Sequence, residues 1–106
     1  MELYKVIDAI NNDVKEVVKY REDNEYSLPL HLWGETSGVL RELHQIKEVL
    51  VELYDDINKL DSLFEDKIKE LSHYLEVNQD VLTTFDKGNT SGRIKALKKV
   101  KALMND

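Results

Sequence analysis

Basic side chains are concentrated near the end of the chain. Residues 87–106 hold six Lys or Arg against one acid, whereas residues 1–86 hold nine against twenty acids. Guanidinium and ammonium groups are the side chains that bind nucleic-acid phosphate. The candidate phosphate contacts are therefore Arg93, Lys95, Lys98 and Lys99.

The same segment also has the pattern of an amphipathic helix over residues 92–104. Its apolar residues recur at helical spacing, and most of its lysines fall on the opposite side. It holds one Arg and no aromatic side chain for stacking on a base, so the signal for nucleic acid is weak. We expect this helix to lie against the acidic body of the protein, with nucleic acid as the alternative partner.

Four acids elsewhere in the chain form two closely spaced pairs. Glu22 and Glu25 stand three residues apart in EDNE, and Glu52 and Asp55 stand three apart in ELYD. Paired carboxylates of this kind hold magnesium against a triphosphate. The pattern, which covers only these four acids, resembles that of the all-α MazG-like nucleotide pyrophosphohydrolases, and the resemblance implies a magnesium-dependent enzyme. In that family the first pair lies on a helix, whereas Glu22 and Glu25 fall in a turn-prone stretch.

Metal-ligand spacing is incomplete. Glu70 and His73 form an E-x-x-H pair of the type found in di-iron bundles, which need two such pairs. His44 and Glu48 lie four residues apart and have no evident third ligand. The chain has no Cys, which excludes disulfides and thiolate chemistry. We expect no catalytic residue, no cofactor and no metal.

The composition favours one helical domain spanning residues 1–106. Hydrophobic residues make up 42% of the chain and charged residues 34%, the balance of a globular protein. Only four Gly and one Pro leave few places to turn, which favours long helices over a many-stranded sheet. No apolar run approaches the roughly 20 residues of a membrane span, and no signal peptide is evident. We expect a cytoplasmic protein with no membrane partner.

The apolar spacing predicts an all-α fold of three to four helices, a bundle or hairpin built on one long helix. In chain order we expect a helix over 2–20, an apolar connection over 27–38, the long helix over 39–77, a short segment over 78–87 and the basic helix over 92–104.

The long helix is predicted from a heptad seam. From Val39 to Phe64 the apolar residues are separated by alternating steps of four and three, the spacing of a coiled coil. An unbroken helix over 39–77 would be about 58 Å long, twice the length of the first helix, so a second copy would cover the remainder. A break near Asp61, beside a capping box starting at Ser62, would instead give a four-helix bundle. We favour the long helix and a homodimer through the seam.

The apolar connection suggests a contact surface. Its Trp and leucines either seal one end of the bundle or anchor a partner, since aromatic residues dominate binding hot spots. We expect a non-enzymatic protein-binding module, an acidic adaptor, inhibitor or assembly factor of the kind frequent in phages and mobile elements. A nucleic-acid accessory protein and the MazG-like enzyme are the alternatives. The predicted partner-binding residues are Leu28, Leu30, Leu32 and Trp33.

Overall fold

The computed structural model describes residues 1–105, which form four helices and no strand. The all-α class and the number of helices are therefore confirmed. None of the helices within these residues has the apolar length that a bilayer crossing needs. The helices are α1 (Leu3–Asp23), α2 (Leu30–Leu53), α3 (Ile57–Val77) and α4 (Thr84–Met104).

The two halves of the chain repeat one motif at a constant spacing. α1 begins at Leu3 and α3 begins at Ile57. The same number of residues separates the ends of these helices, at Asp23 and Val77. The same step separates the first residues of α2 and α4, and we call it the repeat interval. It also brings the motif GETSG of α2 into register with GNTSG of α4. We call α1 and α2 repeat 1, and α3 and α4 repeat 2.

Burial follows the repeat interval, residue for residue, in α2 and α4. Seven residues of each helix are buried, and every one has its counterpart one repeat interval away. They are Gly34, Thr36, Gly38, Glu42, Leu43, Ile46 and Leu50 in α2, and Gly88, Thr90, Gly92, Ala96, Leu97, Val100 and Met104 in α4. The fold is therefore two helical hairpins related by an approximate two-fold axis.

The hairpin turns of the two repeats are also built alike. Asn24 caps the end of α1, and its side-chain amide donates to the Tyr20 carbonyl at 2.8 Å. Asn78 caps the end of α3, and its side-chain amide donates to the Tyr74 carbonyl at 2.9 Å. Each of these carbonyls also accepts the backbone N–H of the same Asn at 3.2 Å. Both hairpin turns are therefore closed by the same local chemistry.

The repeats meet where α2 crosses α4, and all four glycines of the chain lie at this crossing. A Cβ at Gly34 or Gly38 would overlap the backbone of Phe85 or Asn89, and one at Gly88 or Gly92 would overlap the backbone of His31 or Glu35. Glycines four residues apart share one helix face and let two backbones touch. Since Gly34 adjoins Phe85 and Gly38 adjoins Asn89, α2 and α4 run in the same direction.

One hydrophobic core is shared by both repeats. Beyond the glycines, α2 and α4 contribute large side chains that are at most 2% exposed. α1 adds two buried residues and α3 adds four, which cover the core on its remaining sides. The large core residues are Leu43, Ile46, Leu50, Leu97, Val100 and Met104 from the crossing helices, Val6 and Ile10 from α1, and Leu60, Phe64, Ile68 and Leu71 from α3.

A carboxylate lies inside this core and interrupts the symmetry. Glu42 of α2 is 0% exposed, and its counterpart in repeat 2 is Ala96. Lys67 Nζ lies 2.6 Å from Glu42 Oε2, and Arg93 Nε lies 2.8 Å from Glu42 Oε1. A buried charge is costly unless it is paired and hydrogen-bonded. Both cations come from repeat 2, so this cluster links unlike halves.

The predicted helix over 39–77 is not continuous. It divides at Tyr54–Asp56. This division precedes the break that was considered near Asp61, since Asp61 and Ser62 lie inside α3. Asp56 marks the division, because its side chain accepts a hydrogen bond from the Lys59 N–H at 3.1 Å and caps α3.

The predicted connection over 27–38 and the segment over 78–87 are also wrong in their bounds. The connections in these regions are residues 24–29 and 78–83, since α2 begins at Leu30 and α4 at Thr84. The basic helix expected over 92–104 is the second half of α4. The errors in both regions have a related cause. Gly34 and Gly38 were placed in the connection, and Gly88 after the short segment, whereas these glycines lie within helices and let α2 and α4 cross closely.

The heptad seam faces the interior of the same chain. Leu43, Leu50, Leu60 and Phe64 are buried by intramolecular packing, and the molecule measures 40 × 34 × 20 Å, shorter than the expected rod. The geometric reason for a homodimer through an uncovered seam therefore no longer applies. The homodimer itself stays a prediction.

Replacing Gly38 by Ala is expected to destabilise the protein by about 2 kcal/mol, because the new methyl group would overlap the Asn89 carbonyl and force the helices apart. At an uncrowded helix position the same change stabilises by about 1 kcal/mol. Urea unfolding followed by circular dichroism measures the difference. Ser72→Ala, at an exposed position of α3, is the control and should change stability by less than about 0.5 kcal/mol. A Gly38→Ala protein as stable as the wild type would contradict the close crossing.

Candidate protein-binding surface

Both hairpin turns lie at the same end of the molecule. Residues 24–29 connect α1 to α2, and residues 78–83 connect α3 to α4. Because α2 and α4 run in the same direction and cross near their first residues, the turns that precede them come out side by side. We call the surface formed by residues 18–33 and 72–87 the turn end.

Large hydrophobic side chains are unusually exposed at the turn end. Tyr26 is 97% exposed, Val81 77% and Leu30 57%. Residues 1–105 contain twelve exposed large hydrophobic side chains, and seven of them lie here: Val18, Tyr20, Tyr26, Leu30, Tyr74, Val77 and Val81. Scattered exposed apolar residues are ordinary, whereas a cluster at one site marks a contact surface.

The predicted partner-binding residues all belong to the turn end, but they differ in accessibility. Leu30 is exposed, whereas Leu28, Leu32 and Trp33 are half-buried. The guanidinium of Arg21 lies over the Trp33 ring, 4.5 Å from its centroid, in a cation–π contact. Trp33 is therefore partly covered by its own chain. Of the four predicted residues, only Leu30 is largely available to a partner.

A shallow cavity of about 300 Å³ opens beside Trp33. Val18 and Leu40 give it apolar walls, and Arg21 lines it with its guanidinium over the Trp33 ring. Glu22 and Glu25 supply two carboxylates, so negative charge is in excess. Such a cavity suits a side chain with an apolar stem and a positive head, as Lys and Arg have. The turn end as a whole holds six acids against three Lys or Arg, so its rim is acidic.

Repeat 2 contributes half of this surface, and the sequence interpretation missed it. Tyr74, Val77 and Val81 lie in a stretch without Trp or Pro, which gave it no distinctive composition. Comparison of the chain with itself at the repeat interval is the signal that would have matched Tyr74 to Tyr20, and the second turn to the first.

The candidate phosphate contacts lie on α4, and three of the four make ion pairs with repeat 1. Arg93 pairs with the buried Glu42, and Lys95 pairs with Glu35. Lys99 Nζ lies 2.8 Å from Asp13 Oδ1. The basic helix therefore lies against acids of the same protein, and much of its charge is already balanced.

The remaining basic residues of this helix differ in environment. Lys98 is exposed and makes no ion pair within residues 1–105. A hydrogen bond to Glu65 and the charge of Asp61 raise the pKa of Lys101 above its ordinary value. Lys101 thus stays charged at neutral pH and joins α4 to α3.

The four acids of the MazG-like pattern are not brought together. Glu22 and Glu25 line the cavity beside Trp33 at the start of α2, whereas Glu52 stands at its other end and Asp55 just beyond it. The stretch of α2 from Trp33 to Glu52 spans about 28 Å at the rise of an α-helix. Within residues 1–105, no three His, Asp or Glu side chains are grouped to hold a metal ion.

Comparison with known proteins gives no assignment. No family model matches the chain, and neither a curated protein nor a solved structure is significantly similar to it. The chemistry of the turn end is therefore the basis on which a function can be proposed.

Removing two of the ion pairs of α4, with Lys95→Gln and Lys99→Gln together, is expected to lower stability by about 1 kcal/mol at low salt, and 0.5 M NaCl should reduce this cost. Both lysines are more than half exposed, so solvent screening keeps the cost small. Urea unfolding at low and high salt measures the change. Lys98→Gln is the matched control and should change stability little at either salt concentration. Equal effects of the control and the double variant would contradict the ion pairing described above.

Proposed function

We propose that the protein is a non-enzymatic protein-binding module, an acidic adaptor, inhibitor or assembly factor that binds its partner through the turn end. The observation that carries the proposal is the cluster of seven exposed hydrophobic side chains there. Three of them are tyrosines, which supply large contact areas while losing little conformational freedom on binding. We expect the module to act in the cytoplasm.

The rim of the turn end indicates the chemistry of the partner. Its six acids outnumber its three Lys or Arg, and the cavity beside Trp33 combines apolar walls with carboxylates. Complementary charge steers association and selects among partners more than it adds affinity. The partner we propose is therefore a protein surface that presents apolar side chains among Lys and Arg.

Two other functions fit this surface less well. Phosphate binding by α4 would compete with the pairs that Arg93, Lys95 and Lys99 make with repeat 1. A magnesium-dependent hydrolase would need Glu22 and Glu52 in one site, and they lie near opposite ends of α2. Both functions stay alternatives that the same purified protein can be tested for.

The test replaces exposed residues of the turn end and measures what the protein captures. Tyr26→Ser together with Val81→Ser changes one residue in each turn, and both side chains are largely exposed, so the fold should be unaffected. A basic partner captured from the native host by the wild type should bind this variant about thirtyfold more weakly, as expected for loss of a hot spot. Quantitative mass spectrometry of the captured proteins, followed by titration with the purified partner, measures the loss.

A matched tyrosine provides the control. Tyr4 is 66% exposed and lies near the start of α1, at the opposite end from Tyr26. Tyr4→Ser should retain the partner at wild-type affinity. If Tyr4→Ser and the turn-end variant bind equally well, or if the captured protein is acidic, the turn end is not the binding surface.

A further inference from the structure

The two repeats are joined by a link that has little to keep it bent. It consists of three residues, Tyr54–Asp56, and contains neither Gly nor Pro. Tyr54 has helical backbone angles of φ −59° and ψ −23°, whereas Asp56 departs from them at φ −127° and ψ 76°. The side-chain cap from Asp56 to the Lys59 N–H stabilises this departure locally.

The sequence around the link is compatible with one unbroken helix. Leu53, Ile57 and Leu60 keep the steps of four and three residues across the break. Val51 and Tyr54, which are 61% and 56% exposed, would share another face of that helix. They form an apolar patch that the chain does not cover by itself.

The ion pairs between the repeats specify which halves can associate. In every such pair within residues 1–105 the acid belongs to repeat 1 and the base to repeat 2: Glu42 with Lys67 and Arg93, Glu35 with Lys95, and Asp13 with Lys99.

Pairing of identical repeats would bring like charges together. Asp13 of repeat 1 is the counterpart of Lys67 in repeat 2. If two copies of repeat 1 paired in the same way, Asp13 would therefore lie beside Glu42, where Lys67 now lies. Lys99 of repeat 2 is the counterpart of Gln45, which accepts a hydrogen bond from Lys67 at 3.0 Å. If two copies of repeat 2 paired, Lys99 would lie beside Lys67 in its place. Burying like charges together is strongly unfavourable. The contacts therefore select one repeat 1 with one repeat 2, whether these belong to one chain or to two.

We propose that a second copy of this chain is a partner, and that the two copies exchange repeats. The link straightens, α2 and α3 join into one helix over residues 30–77, and repeat 1 of each copy pairs with repeat 2 of the other. Every contact of the glycine crossing and every ion pair that joins the two repeats is reproduced between chains, so the exchange loses little. The two joined helices, one from each copy, cross at the dimer axis and cover Val51 and Tyr54 of both copies.

Two substitutions in the link test this exchange in opposite directions. Asp56→Ala removes the cap that favours the bent link. It should raise the dimer association constant about thirtyfold, because each of the two copies loses one cap and every 1.4 kcal/mol changes the constant about tenfold. Ile57→Pro should abolish the exchanged dimer. Proline suits the first residue of α3 as it stands but cannot follow Leu53 in a continuous helix.

The measurement is molar mass by light scattering after the full-length proteins are unfolded in urea, refolded at several concentrations and separated by size. Circular dichroism and urea unfolding confirm that each variant is folded. Dimer abundance should rank Asp56→Ala above wild type and wild type above Ile57→Pro. The same mass for all three proteins, or a dimer that Ile57→Pro retains, would overturn the proposal.

Discussion

The close approach of α2 and α4 at their four glycines is the constraint on which the rest of the structure depends. The backbones of α2 and α4 touch at the glycines, and these two helices pack against each other more extensively than any other pair. α1 and α3 pack around this central pair, and the hairpin turns that precede α2 and α4 emerge side by side at the crossing end. The shared core and the turn end therefore both follow from one contact.

Charge then decides how this symmetric arrangement is assembled. The glycine motifs are alike in both repeats and would allow any pair of hairpins to cross. The carboxylate of Glu42, buried in repeat 1 and paired with Lys67 and Arg93 of repeat 2, does not allow it. A buried ion pair contributes little net stability compared with apolar packing, and we propose that this one specifies which repeats associate. In the proposed function, the acidic excess at the surface is what selects a partner with basic side chains.

The sequence predicted the all-α class, and the first helix was placed within three residues of its observed ends. It did not predict the glycines' role, because a glycine that ends a helix and one that lets two helices touch look the same locally. Which of these two roles a glycine has depends on the matching helix of the other repeat, which is distant in sequence. The heptad spacing likewise continues from Leu53 to Ile57 whether the chain bends there or not. Half of the turn end was missed for a related reason: the significance of Tyr74 is visible only when it is compared with its counterpart Tyr20 in repeat 1.

The pairing of the two repeats is tested most directly by a double-mutant cycle between Glu42 and Arg93, which stand 51 residues apart in sequence. The free energy of unfolding is measured for the wild type, Glu42→Gln, Arg93→Gln and the double variant. A buried pair joined at 2.8 Å should show a coupling of about 1.5 kcal/mol or more. A coupling within about 0.3 kcal/mol of zero would mean that these residues do not meet, and it would contradict the arrangement of the repeats described here.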